Sequence, residues 1–140
     1  MIEFKLTNKM NVEVLESQKN YISSLKKINE NINNEDVIAF DIYNDKVIIG
    51  FAMLKEFEEH CFFLWNYAVD YKYQNEHLGT KALKELISYM IANYNMKLMT
   101  TTYTVGNNQA KHLYEKIGFI ETSVVDEKNC HEVNMTYKIK

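Results

Sequence analysis

The chain has 140 residues, 46% of them apolar and 25% charged. This balance excludes a disordered polymer and leads us to expect a single domain over residues 1–140. The 16 basic residues, all lysines, are outweighed by 19 acidic ones for a net charge of −3, so no basic stripe is present to neutralise phosphates and nucleic acid is excluded as a partner.

Taken in chain order, Ile2 to Leu6 reads as an edge strand ending at the polar pair Thr7-Asn8. Tyr21, Ile22, Leu25, Ile28 and Ile32 then share one helical face, which predicts helix over roughly 16–32, closed by Asn33-Asn34-Glu35-Asp36. Val37 to Tyr43 and Val47 to Leu54 flank the turn-forming Asn44-Asp45 and read as an antiparallel hairpin. The acidic stretch Glu56 to His60 leads into Cys61 to Val69, a nearly continuous apolar run expected of a central strand covered on both faces.

From Gly79 the period changes. Ala82, Leu83, Leu86, Ile87, Met90 and Ile91 mark an amphipathic helix to about Asn93. Leu98 to Thr104 is a β-branched strand, and Gly106-Asn107-Asn108 forms a helix entry. The next helix is short, with Ala110, Leu113, Tyr114 and Ile117 on its buried side and Gly118 placed for a left-handed cap. Phe119 to Val125 and Val133 to Ile139 complete the chain as strands joined by a turn over Asp126 to Cys130. The order is β, α, β, β, β, α, β, α, β, β, an α/β (α+β) arrangement.

Cys61 and Cys130 are too few and too distant to form a metal cluster or a disulfide framework, so no metal is expected. No basic leader with an apolar core opens the sequence, and no run approaches the roughly 18 apolar residues of a membrane span. The expected setting is cytoplasmic, without a membrane partner.

The segment from Val69 to Thr80 joins the central strand to the long helix. A loop entering a helix offers backbone N–H groups and the positive end of the helix dipole, a combination that suits a diphosphate. Glu56, Glu58 and Glu59, read as a loop, are ordinarily a solvated patch, and by periodicity alone Tyr114 is a core residue with a satisfied hydroxyl.

Two motifs then resemble the GNAT superfamily of N-acetyltransferases. Gln74-Asn75-Glu76-His77-Leu78-Gly79 is similar to that family's cofactor loop, with Gln74 and Gly79 matching and His77 standing at its first glycine. If that position needs positive φ, a non-glycine residue there costs about 1–2 kcal/mol. Asn107-Asn108-Gln109-Ala110-Lys111-His112-Leu113-Tyr114-Glu115-Lys116-Ile117-Gly118-Phe119 matches the Asn-x-x-Ala-x-x-Leu-Tyr-x-Lys-x-Gly-Phe signature almost letter for letter. Tyr21-Ile22-x-Ser24 after Gln18, Ile48 to Met53, and Val69-Asp70-x-x-Tyr73-Gln74 resemble most closely the bacterial spermine/spermidine (diamine) N-acetyltransferases. Trp65-Asn66 replaces the charged pair that those enzymes carry on the central strand.

The resemblance implies a mixed, mostly antiparallel sheet of six to seven strands with helices on both faces, and acetyl transfer from acetyl-CoA to a primary amine. The implied acceptor is a polyamine or diamine; a peptide N-terminus, an amino acid or an aminoglycoside is the alternative, as is a catalytically silent acyl-CoA-binding module. An acidic acceptor groove would favour the polyamine. The cofactor would lie on Tyr67, Ala68 and Val69, on the loop from Gln74 through Asn75, Glu76, His77, Leu78, Gly79 and Thr80, and against Asn107 and Lys116. Tyr114 is implied as the acid that protonates the leaving thiolate. A free alkylamine has a pKa of about 10.4 and must lose a proton before attack, for which Glu56, Glu58 and Glu59 are the candidate base or acceptor contacts. A homodimer is an implied assembly, through an exposed apolar strand edge near the C-terminus.

Overall fold

The computed structural model describes residues 1–14, 19, 21–128 and 130–139. The β-branched and aromatic runs form β1 (Ile2–Leu6), β2 (Val37–Asn44), β3 (Val47–Glu58), β4 (Cys61–Val69), β5 (Leu98–Thr104), β6 (Ile120–Glu127) and β7 (Cys130–Lys138). They make one sheet in the order β1-β2-β3-β4-β5-β7-β6. Every neighbouring pair is antiparallel except β4 with β5.

Helices α1 (Leu25–Asn31), α2 (Leu78–Tyr94) and α3 (Asn108–Ile117) cover this sheet on opposite faces. Alternation along the strands decides which side chain meets which helix. Phe40 and Ile42 of β2 and Ala52 and Leu54 of β3 join Leu83, Leu86 and Met90 of α2 and Tyr114 of α3 in the larger core. Ala39, Phe51 and Met53, one residue out of phase, meet Ile28 and Ile32 beside α1 in a smaller one. α2 is amphipathic, with Ala82, Leu83, Leu86, Ile87 and Met90 buried as their spacing predicts, whereas Ile91, expected on the same face, lies at its margin and is exposed.

Local chemistry sets the ends of the helices. Ser24 caps α1, its side chain accepting from the Lys27 N–H at 3.2 Å, so the helix starts at Leu25. The predicted helix over 16–32 is therefore shorter where it is described; residues 15–18 and 20, Gln18 among them, lie outside the described residues. Gly118 ends α3 at φ 123°, donating to the carbonyls of Tyr114 and Glu115. Glu56 and Glu58, expected in a loop, extend β3 instead, because the ladder with β4 continues to Glu58 opposite Cys61. Likewise β6 and β7 run closer to their turn than predicted, pairing out to Glu127 and Cys130.

Candidate active site

The site is made by a ladder that stops. β4 and β5 are paired from Cys61 with Leu98 to Leu64 with Thr101. Both strands continue, β4 to Val69 and β5 to Thr104, without further pairing to each other. Past Leu64 the edge of β4 facing β5 presents backbone N–H and C=O groups with no strand partner, and such groups seek a ligand or water.

A β-bulge marks the same place. Met53 of β3 faces Asn66 and Leu54 faces Leu64, which leaves Trp65 as the extra residue. A bulge reverses the alternation beyond it. Phe62 and Leu64 point into the larger core, whereas Trp65 and Ala68 pack on the α1 side and Tyr67 swings under α2. The Tyr67 hydroxyl donates to the Gly79 carbonyl at 2.7 Å, pinning the first turn of α2 to the open strand. Gly50 of β3 allows this closeness: a Cβ there would lie 2.8 Å from the Ala68 carbonyl oxygen.

The parted strands border a cleft of about 410 Å³. On one side stands the entry to α2. Asp70 starts a 3-10 turn over Tyr71–Glu76, which contains Asn75 and Glu76, its side chain accepting from the Lys72 N–H at 3.1 Å. Gln74 reaches back to donate to the Val69 carbonyl at 3.0 Å. His77 then adopts the left-handed conformation, φ 59° and ψ 12°, so the position does require positive φ. Its side chain does not cap α2.

This entry fits a diphosphate. The N–H groups of a helix's first turn lack intrahelical acceptors. At Gly79 a Cβ would meet nothing within 4 Å except Val69 Cγ2 at 3.4 Å, which leaves room for ligand atoms against the backbone. Leu78 and Thr80 flank it in the first turn of this 17-residue helix.

α3 supplies the other wall. Asn107 caps it, Oδ1 accepting from the Ala110 N–H at 3.3 Å, and lines the cleft together with Lys116. Tyr114 is 7% exposed and opens onto the cleft from the larger core. Burial raises its phenol above the ordinary tyrosine range, opposed in part by the neighbouring Thr101 hydroxyl. Tyr67 is raised as well, chiefly by burial and secondarily by neighbouring Tyr114. Both phenols are neutral at physiological pH.

On the α1 side the cleft is walled by Val14, Tyr21, Ile22 and Trp65. Asn66, 4% exposed, holds this wall in place. Its Oδ1 accepts from the Ser23 N–H at 2.9 Å, and its Nδ2 donates to Ser23 Oγ at 3.3 Å. Sequence reasoning noted Asn66 only for the carboxylate it lacks and missed this tether. The available signal was a polar residue inside an apolar strand, since such a residue is buried only when bonded.

The structure thus gathers Tyr67, Ala68, Val69, Gln74, His77, Gly79, Thr80, Asn107, Tyr114 and Lys116 around one cleft. It does not bring Glu56, Glu58 or Glu59 there. They sit at the β3–β4 hairpin, where Glu56 faces Phe62 and Glu58 faces Cys61. At about 3.3 Å per residue, Cys61 is roughly 20 Å along the strand from Tyr67. Glu56 instead accepts from the His60 N–H at 2.9 Å, and Glu59 lies 3.3 Å from His60 Nε2. Among the described residues no carboxylate lines the cleft, so the acidic groove that would favour a polyamine is not formed by them. Among the described residues no group of His, Cys, Asp and Glu is arranged to hold a metal, and no helix is long and apolar enough to cross a membrane.

Comparison with known proteins agrees with this architecture. The model of the Acetyltransferase (GNAT) family matches residues 7–119. A spermine/spermidine N(1)-acetyltransferase of Bacillus subtilis is 28% identical over 118 residues, covering 79% of this chain and 78% of that protein. A GNAT family acetyltransferase from Elizabethkingia anophelis, solved with acetyl-CoA bound, superposes with a TM-score of 0.75 at 18% identity, over 99% of this chain and 98% of the other. An aminoglycoside acetyltransferase in complex with coenzyme A gives a TM-score of 0.76 at 16% identity, over 99% and 95% of the two chains. The parted strands, the open helix entry and the α3 signature therefore have one source: the chain belongs to the GNAT family of acetyltransferases, which take their acetyl group from acetyl-CoA.

Proposed function

We propose that this chain transfers the acetyl group of acetyl-CoA to a primary amine in the cleft between β4 and β5, with Tyr114 as general acid. The observation that carries the reading is the coincidence of three features: an unpaired β4 edge over Trp65–Val69, an α2 entry open at Gly79, and a buried tyrosine on the opposite wall. Acetyl-CoA supplies a thioester carbonyl for the amine to attack and a thiolate to leave.

The chain's own groups divide the remaining work. N–H groups at the start of α2, from Leu78 to Thr80, take the diphosphate. The Asn107 side chain, its oxygen engaged as a cap, offers its NH2 to the pantetheine arm. N–H groups on the open edge of β4 at Tyr67 to Val69 are fixed dipoles beside the carbonyl oxygen. Tyr114 gives its proton to the departing sulfur; the burial that raises its pKa penalises a thiolate in the same place, so the transfer is not uphill by the full difference. With no carboxylate lining the cleft among the described residues, the proton of the incoming ammonium leaves through water in the open mouth.

A polyamine or diamine acceptor is favoured by the Bacillus subtilis relative, which is named for acetylating spermine and spermidine. The apolar wall of Val14, Tyr21, Ile22 and Trp65 suits the methylene stretches of such a molecule or the body of another alkylamine. The test is release of free thiol from acetyl-CoA with spermidine, spermine, putrescine, a peptide amine, an aminoglycoside and a monoamine. Turnover on an amine, with Tyr114→Phe lowering kcat by about 100-fold or more, is the expected result. CoA binding without turnover on any amine would replace this reading with a silent acyl-CoA-binding module.

A further inference from the structure

Four polar or charged residues are buried among the described ones: Asp41, Asn66, Asp70 and Thr101. Asp41 accepts from Asn11 Nδ2 at 3.0 and 3.1 Å, Asn66 reaches Ser23, and Thr101 Oγ1 donates to the Leu64 carbonyl at 3.0 Å. Asp70 differs in serving two separate segments of the chain. Its Oδ1 accepts from the Lys72 N–H at 3.1 Å and its Oδ2 from the Glu13 N–H at 3.2 Å. Glu13 is clasped from its other side as well, its carbonyl accepting from the Tyr71 N–H at 2.9 Å.

These two segments carry opposite walls of the cleft. Lys72 lies in the 3-10 turn Tyr71–Glu76, and Gln74 of that turn and His77 after it line the cleft beside the start of α2, where the diphosphate is assigned. Glu13 precedes Val14, part of the apolar wall assigned to the acceptor. Asp70 itself does not line the cleft. We propose that Asp70 is a positioning residue that couples the two substrates: the acyl donor, bound at the entry to α2, fixes Glu13 and Val14 through this carboxylate and so tightens the hold on the amine. The inference rests on the reading of the cleft as a site for acetyl-CoA and an amine.

A carboxylate suits the task because it accepts through both oxygens and donates through neither. A diphosphate on the first turn of α2 restrains the turn that leads into it. The Lys72 and Tyr71 N–H groups then hold Asp70 and Glu13 together, and the amine meets a wall that is already ordered. By reciprocity, a bound amine tightens CoA by the same factor. Asn66 provides the contrast. Its bonds run to Ser23 and Met53, so it holds the acceptor wall without touching the cofactor turn among the described residues.

The test is calorimetry of CoA, which has no acetyl group to transfer, with and without the amine that gives the fastest thiol release. In the parent the amine should lower the Kd of CoA about fivefold or more. Asp70→Asn keeps the volume but puts an NH2 where one oxygen accepts, and in either orientation one of the two N–H groups loses its partner. The amine should then leave the Kd of CoA unchanged. Asp70→Ser retains one oxygen, enough to cap the turn, so the Kd of CoA alone should stay within about twofold while the coupling is again lost. Asn66→Ala should weaken the amine and keep the coupling. A second readout needs neither amine nor turnover: CoA should slow exchange of the Glu13 amide in the parent and leave it unchanged in Asp70→Ser. Coupling that survives in both Asp70 variants, a parent in which amine and CoA bind independently, or a Glu13 amide indifferent to CoA overturns the proposal. If the parent binds CoA and releases no thiol with any amine, it is the acetyl-transfer reading that has failed, and the Glu13 amide still decides whether Asp70 transmits the effect of CoA.

Discussion

The two halves of β4 share one strand and differ in what lies beside them. From Cys61 to Leu64 the strand is paired on both edges, with β3 and β5, and its hairpin carries the acidic cluster Glu56, Glu58 and Glu59. From Trp65 to Val69 it keeps β3 and loses β5. The paired half has its backbone satisfied and gives a ligand nothing to hold, however much charge surrounds it. The open half is nearly uncharged but has backbone dipoles, a bulge that re-aims Tyr67, and a helix entry beside it. The proposed site follows unsatisfied backbone rather than side-chain charge.

The comparison can be broken most forcefully through the support of the open half. Gly50→Val puts a Cβ 2.8 Å from the Ala68 carbonyl and 3.3 Å from Ile42 Cδ1. Overpacking of that kind costs about 2–3 kcal/mol. The melting temperature should fall by roughly 5–10 °C, with loss of CoA binding. Asn66→Ala leaves the Ser23 N–H without its partner, a cost of about 1–3 kcal/mol. KM for the amine should rise severalfold while KM for acetyl-CoA stays put, as steady-state kinetics would reveal.

His77→Gly works in the opposite direction. It relieves a left-handed histidine at φ 59° and should stabilise the fold by about 1 kcal/mol in thermal or denaturant melts, with CoA still bound. The smallest effect belongs to the paired half. Replacing Glu56, Glu58 and Glu59 together by Gln should leave kcat and both KM values within about twofold. A large rise in amine KM would show that the hairpin does take part in acceptor binding.

Much of this was legible in the sequence because period and punctuation agree with the fold. The β-branched runs became strands, Gly118 took the positive φ its position announced, and the α3 signature placed Tyr114 against the cleft. The left-handed conformation at His77 was legible only as a missing glycine. What could not be read was the bulge at Trp65. The nearly continuous apolar run of β4 hides the alternation that would expose an extra residue. The same masking made Asn66 appear as a lost carboxylate. The acidic cluster misled for a related reason: charge density is visible in a sequence, and which end of a strand it decorates is set by register.

Amide hydrogen exchange with and without CoA tests the central claim most directly, since it reads backbone groups one segment at a time. Added protection is expected over Trp65–Val69 and over the start of α2 from Leu78 to Lys81, and none over Glu56 to Cys61. Protection confined to the hairpin, or an open half that exchanges equally fast in both states, would contradict it.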